Sequence, residues 1–320
     1  MIQEAYGGCT IMNGMTILME EKGMKNGICI IGTAHCDIVY PIVCYPNKNE
    51  LTTITDKITY SIGGSLYHMV SALSALDIKL SLQACATIGD DMDGDFIEQK
   101  LADFDQLSLA GLKRANRTSF IMTMRDQESD TIFQYRCRSS KLSAADFDFQ
   151  KIDVKMVHIE APIELLEPDP QYGTKLSALL SATQSAGTLT SVCMPESTEA
   201  DSLLQILRYA DYGMISLQNL QAISGSKIEN NSKVDLPENL RQVFYKLRQK
   251  KSSIKWLLVC SENEVYGIDC EMCTPRALYS NGLICAEPNM HRFYSGVLYG
   301  AYQGKMLTEA MEIGKTMLGS

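Results

Sequence analysis

Apolar positions along the chain alternate between two signatures. The stretch GICIIGTAHCDIV, 27–39, reads as a short strand buried on both faces, running into a turn that ends in Asp37. A strand of this kind belongs near the centre of a parallel sheet. In SLYHMVSALSALD, positions Leu66, Met69, Val70, Leu73 and Leu76 share one helical face. The alternation continues with LSLQACATIG as a strand and DDMDGDFIEQKLADF as a helix opened by acidic residues that suit its positive end. Further along, VKMVHIEAP, LTSVCM, YGMISL, KWLLVC and EVYGIDC read as strands. Between and after them, YGTKLSALLSATQSAG, DSLLQILRYA, PENLRQVFYKLRQKK, HRFYSGVLYGAYQG and LTEAMEIGKTML read as helices. Strands alternating with helices of this length predict an α/β fold with a mostly parallel sheet and helices on both faces.

Two segments break the alternation. Residues 40–62 turn to β-branched and polar residues ending in LTTITDKITYSIGG, and residues 115–137 hold two β-rich runs around the polar turn RDQESD, the pattern of a hairpin. These are expected to pair with each other as a small lid. Residues 1–26 carry no clear period and read as an extension outside the domain formed by residues 27–320. Met24 followed by KNGICIIG reads as a natural start, so residues 1–23 are expected to be leader from a start codon placed too far upstream.

The formal charge of −9 and pI near 5.1 argue against a non-specific grip on nucleic acid or anionic membrane, which needs surplus Lys and Arg. No apolar run is long enough to span a bilayer and no secretory pattern opens the chain, so a cytoplasmic location and small-molecule or protein partners are expected. The 11 cysteines scatter through apolar segments as buried thiols of a reducing compartment do. Cys270 and Cys273 have the spacing of a zinc knuckle or redox turn, but no second pair follows.

The order of IGTAHCDIV, GGSLYHMVSALSAL, TIGDDMDGDF, a lid hairpin and a final FYSGVLYGAYQG helix resembles the ribokinase-like (PfkB) carbohydrate kinases over essentially all of residues 27–319. The resemblance implies a three-layer fold in which a sugar or nucleoside lies between the central sheet and a β-sheet lid. It implies Mg2+-dependent transfer of the ATP γ-phosphoryl to a hydroxymethyl group. By position, Asp37 corresponds to the carboxylate that receives substrate hydroxyls, and Gly63 and Gly64 to the hinge where substrate meets lid. His68 stands where the family has a sugar-contacting asparagine, and Gly94 allows a substrate-side loop to turn. An ionised carboxylate can accept from two adjacent hydroxyls; from the residue alone, Asp37 reads equally as a strand-end cap of a backbone N–H.

The nucleotide side departs from the family pattern. Asn219 stands for the glutamate of the Mg2+ water network, and an amide is a poor partner for a hard hydrated cation. Cys260, Glu262 and Val265 replace a threonine and glycines. Pro288, Asn289, Met290 and His291 occupy the Gly-Ala-Gly-Asp positions of the anion-hole turn. Pro288 has no N–H and Met290 resists the positive φ of a glycine turn. His291 replaces the catalytic aspartate as a base usable near neutral pH, without the donors that matter more. These departures imply weak or no kinase activity, with Mg2+ and ATP as cofactors if active and none otherwise. The alternative is a non-catalytic sugar- or nucleoside-binding pseudokinase, acting as a regulatory or structural subunit in a homodimer or hetero-oligomer formed through the lid. With Asp37, the histidines His35, His68 and His291 have the residue types of a metal or anion site. Drift after loss of catalysis explains them as well. No metal site is expected, because His291 should lie several ångströms from the side to which His68 points.

Overall fold

The computed structural model describes residues 25–137, 142, 153–162, 174–195, 198–225, 235–260, 264–269, 275–279 and 288–318. The expected leader at 1–23, Glu262, and the Cys270 and Cys273 pair lie outside the described residues.

A sheet of nine strands forms the middle layer. Its parallel part is built from β5 (Leu107–Ala115), β4 (Leu82–Gly89), β1 (Ile28–Ile31), β8 (Met156–Glu160), β9 (Leu189–Met194), β10 (Tyr212–Ser216) and β11 (Trp256–Cys260), side by side in that order. The antiparallel strands β12 (Glu264–Asp269) and β13 (Pro275–Tyr279) extend the sheet beyond β11. Strand side chains alternate between faces, and β1 shows the consequence directly. Ile28 and Ile30 enter one core with Leu66, Met69, Ile97, Phe293 and Met311, whereas Cys29 and Ile31 enter the other with Leu180, Leu203, Leu220 and Phe244. The first core is roofed by α1 (Ser65–Leu76), α2 (Met92–Ala102), α7 (Asn289–Tyr302) and α8 (Leu307–Thr316). The second is covered by α3 (Thr174–Ser185), α4 (Ala200–Leu207), α5 (Leu217–Ser224) and α6 (Asp235–Gln249). This is the three-layer α/β architecture expected from the sequence.

The lid is a four-stranded sheet in the order β3 (Thr59–Gly63), β2 (His35–Pro41), β6 (Phe120–Arg125), β7 (Asp130–Tyr135). It differs from expectation in one respect. The two insertions meet directly only at Tyr40 and Pro41 of β2, opposite Met124 and Arg125 of β6; the rest of the join runs through His35–Val39, ahead of the expected insertion, where β2 is antiparallel to β3 and parallel to β6. The first strand of the fold therefore ends at Ile31, and Asp37 sits inside a lid strand instead of closing a turn. The chain turns from sheet to lid at 32–34. There Thr33 and Ser65 tie the exit of β1 to the start of α1: Thr33 N–H donates to Ser65 Oγ at 3.0 Å and Ser65 N–H to Thr33 Oγ1 at 3.2 Å.

Candidate ligand site at the ends of the parallel strands

The carboxyl ends of β1 and β8 lie side by side, with Ile31 opposite Ile159 and Glu160 the last residue of β8. Open parallel sheets bind ligands at such ends. Three elements project toward this point: the first turn of α1, the first turn of α7 and the start of lid strand β2.

On the lid side, His35 Nε2 and Asp37 Oδ1 are 3.2 Å apart, with the Asp37 side chain 35% exposed and available to a ligand. His35 lies opposite Gly63 across the β2–β3 ladder. A Cβ on Gly63 would stand 2.2 Å from Asp37 Oδ2 and 2.8 Å from His35 Nε2, so only glycine leaves room for this pair. Gly64, at φ +97°, caps α1 in a conformation few L-residues adopt, and its backbone packs against Thr33 O. One turn into α1, His68 stacks on His291 of α7, with ring centroids 5.8 Å apart and planes within 11°. This corrects the expectation that the two histidines lie apart. The fold packs the N-terminal half of α1 directly on α7, which sequence position alone does not reveal.

His291 is buried at the start of α7, 3.7 Å by its Nδ1 from Glu160 Oε1. Behind it runs a chain of buried polar groups. His158 Nε2 lies 3.0 Å from Glu160 Oε2, His158 Nδ1 lies 3.1 Å from Ser191 Oγ, and Ser191 Oγ lies 3.0 Å from the Tyr294 hydroxyl. Burial pushes the Tyr294 phenol well above its ordinary value, so it remains an O–H donor at neutral pH. Glu160, His158, Ser191 and Tyr294 were not among the residues singled out from sequence. A signal was present: His158 and Glu160 share one face, two apart, in an otherwise apolar strand, and His158 pairs with Ser191 across the ladder.

Gly94 is also placed differently from its expected role. It sits in the first turn of α2 and does not have a positive φ; a Cβ there would meet Gly89 O at 2.1 Å. Close packing of α2 on the end of β4 requires the glycine. Asp91 caps this helix, accepting from Gly94 N–H at 2.9 Å and from Thr118 N–H at 2.9 Å. Burial opposes ionisation of Asp91, but the Thr118 and Gly94 bonds outweigh it and hold the carboxyl below the usual range. The lid is clasped to α2 by Tyr60, whose hydroxyl donates to the Asp93 carboxylate and lies 3.2 Å from Cys36 Sγ, and whose ring meets Phe96 edge-on at 4.8 Å. Burial raises the Cys36 thiol to about 11, so it stays protonated.

The nucleotide-side positions are built otherwise. Asn219, in the first turn of α5, is fully buried. Its Oδ1 accepts from Thr198 N–H at 2.9 Å and its Nδ2 donates to Met194 O at 2.9 Å. Cys260 is buried at the end of β11 with its thiol 3.4 Å from Met214 Sδ. β11 stands four strands from β1, roughly 19 Å along the sheet. Asn289 and Met290 open α7 behind Pro288; Met290 lies in the helix and not in a positive-φ turn. Pro288 makes no side-chain cap, and the positions before it lie outside the described residues. Among the described residues, no group of three or more His, Cys, Asp or Glu is placed to hold a metal, and no helix is long and apolar enough to cross a membrane.

Three layers with a sheet lid over the strand ends define the ribokinase-like fold. Solved structures that share it with this chain include ribokinases, an adenosine kinase and a PfkB protein. The ribokinase of Arabidopsis thaliana, solved with ribose and ATP, superposes with a TM-score of 0.68 at 17% identity over 91% of each chain. A PfkB protein from Polaromonas gives 0.68 at 14% identity over 92% of this chain and 95% of its own. The adenosine kinase of Sinorhizobium meliloti gives 0.67 at 14% identity over 92% and 93%. No family model matches the chain. No curated protein matches it by sequence.

Proposed function

We propose that this chain binds a sugar or nucleoside in the cleft between the central sheet and the lid, and that phosphoryl transfer from ATP is weak or absent in it. The observation that carries this reading is a contrast in what polar side chains do. Asp37 is partly exposed beside His35 on the lid and His68 stacks on His291 where α1 meets α7, while the Asn219 amide is held at both ends by backbone groups. ATP with Mg2+ is the cofactor the fold implies. The described nucleotide-side residues do not fit it: Asn219 is buried and uncharged, and Cys260 faces a thioether. A buried amide bonded to backbone offers nothing to a hydrated cation.

Thermal shift tests the reading. Protein is melted with ribose, adenosine, a wider panel of sugars and nucleosides, and MgATP. A ligand at a hundred times its dissociation constant stabilises by about 2.7 kcal/mol. The expected result is stabilisation by a sugar or nucleoside and none by MgATP; stabilisation by MgATP alone contradicts it.

A second reading, a slow kinase with His291 as base, is favoured by one observation: the imidazole lies beside a buried carboxylate, the surroundings that make histidine a better base. Under either reading the exposed side chains of Ile58, Ile132, Phe133 and Tyr135 support the lid as the surface of a homodimer or hetero-oligomer, which sedimentation would detect.

A further inference from the structure

Glu160 is a carboxylate at 1% exposure inside a protein core, and such a group is costly to bury unless its oxygens are met. Its two oxygens are treated differently. Oε2 is bonded to His158 Nε2 at 3.0 Å. Oε1 is fully buried and makes no hydrogen bond. The imidazole nitrogen paired with it is His291 Nδ1, at 3.7 Å. That separation is about 0.7 Å longer than a hydrogen bond. Contacts of this kind are often long in unliganded sites and tighten when the site is filled.

The chain of groups can be ordered so that Glu160 Oε2 is supplied with a proton. Tyr294 is an O–H donor that reaches Ser191 Oγ at 3.0 Å and Val192 O at 3.4 Å. Ser191 can then donate to His158 Nδ1, which leaves the His158 proton on Nε2, facing Glu160. With Oε2 supplied in this way, Oε1 is the acceptor left over. Among the described residues, the nitrogen set against it is His291 Nδ1.

We propose that Glu160 is the positioning residue of the cleft: its carboxylate takes the Nδ1 proton of His291, so that Nε2 becomes the nitrogen that accepts from whatever lies at the strand ends. This deepens the reading of the cleft as a sugar or nucleoside site, and rests on it only for the identity of the hydroxyl that Nε2 would accept from. Here the carboxylate acts through an imidazole and is shielded from the cleft by it. His158, Ser191 and Tyr294 form the support that keeps Glu160 in place. Among the described residues, His291 is faced by His68 from α1 and by Glu160, with His158 behind it, from β8, and Tyr294 of its own helix meets His158 edge-on. Cys193 and Cys260 lie further back, beside Tyr294.

The test is long-range proton–nitrogen NMR on unliganded protein carrying isotope-labelled histidine, with the His291 signals assigned by their loss in His291→Gln. The expected result is the Nδ1–H tautomer at His291, and a titration midpoint that falls by about one unit or more in Glu160→Gln, because the carboxylate no longer favours the imidazolium. Glu160→Asp, which keeps the charge, restores part of the shift. An Nε2–H tautomer in the wild type overturns the proposal, and so does an unchanged midpoint in folded Glu160→Gln. If Glu160→Gln does not fold, the wild-type tautomer alone decides. Since no ligand is added, this result is independent of the thermal-shift outcome, and the two readings fail separately.

Discussion

Near the carboxyl ends of β1 and β8, titratable side chains meet in pairs; near the ends of β10 and β11, a buried amide is bonded to backbone. Asp37 and His35 pair with the carboxylate 35% exposed, and His68 stacks on His291. Asn219 is fully buried and satisfies the N–H of Thr198 and the carbonyl of Met194. Both regions belong to one sheet, and both sit where parallel sheets bind ligands. The difference teaches that, along one edge of a single sheet, polar side chains can be left partly exposed at one place and spent on internal hydrogen bonds at another.

The largest expected effect falls on the scaffold side. Asn219→Ala orphans a buried N–H and a buried carbonyl and should cost about 2 to 4 kcal/mol of stability, read by denaturant unfolding. Ribose or adenosine binding by the folded fraction should be unchanged. A variant that stays stable but loses ligand binding would erase the contrast.

Asp37→Asn is the converse. Loss of a charged hydrogen-bond acceptor should weaken sugar or nucleoside binding by about 1.5 to 3 kcal/mol, roughly tenfold to a hundredfold, in a calorimetric titration. The unliganded melting temperature should barely move, because a partly exposed carboxylate–imidazole contact contributes about 0 to 1 kcal/mol. A large fall in stability would assign Asp37 to the framework.

Gly63→Ala sharpens the comparison further. Its Cβ must displace the Asp37 and His35 side chains, so binding should weaken several-fold with a stability loss of about 1 to 2 kcal/mol. Equal binding by variant and wild type would show that the His35 and Asp37 geometry is not what the ligand reads.

The smallest effect is in acid. Asp91 has its folded pKa lowered, so it contributes stability above its unfolded value near 3.8 that is lost as pH falls through the folded value. The wild type should therefore lose stability below about pH 4, and Asp91→Asn should lose less over that range in unfolding curves taken at successive pH. Parallel curves for the two proteins would refute the cap's electrostatic role.

Much of this was legible in the order of residues. The strands of the parallel sheet are continuous apolar runs, because both faces are covered, and the long helices repeat apolar positions on one face. Three elements were not legible. β5, at the sheet edge, mixes exposed and buried positions; α5 sets Gln218, Asn219 and Gln221 among few apolar positions; and β13 lies as a short antiparallel extension. Asp37 was recognisable as a candidate ligand group, but its place within a lid strand follows from β2 pairing on both sides. The approach of His68 to His291 depends on how α1 packs on α7, and no spacing in the chain encodes that. Glu160 and His158 were hidden by their setting, since VHIE reads as one more buried strand unless the shared face of its two polar residues is weighed.

The central claim is that the cleft retains a sugar or nucleoside site while the nucleotide side no longer holds ATP. Its most direct test is calorimetric titration of MgATP into the wild-type protein, alone and in the presence of ribose or adenosine. The account predicts no saturable heat from MgATP in either case. Saturable MgATP binding, above all binding strengthened by ribose or adenosine, would contradict it.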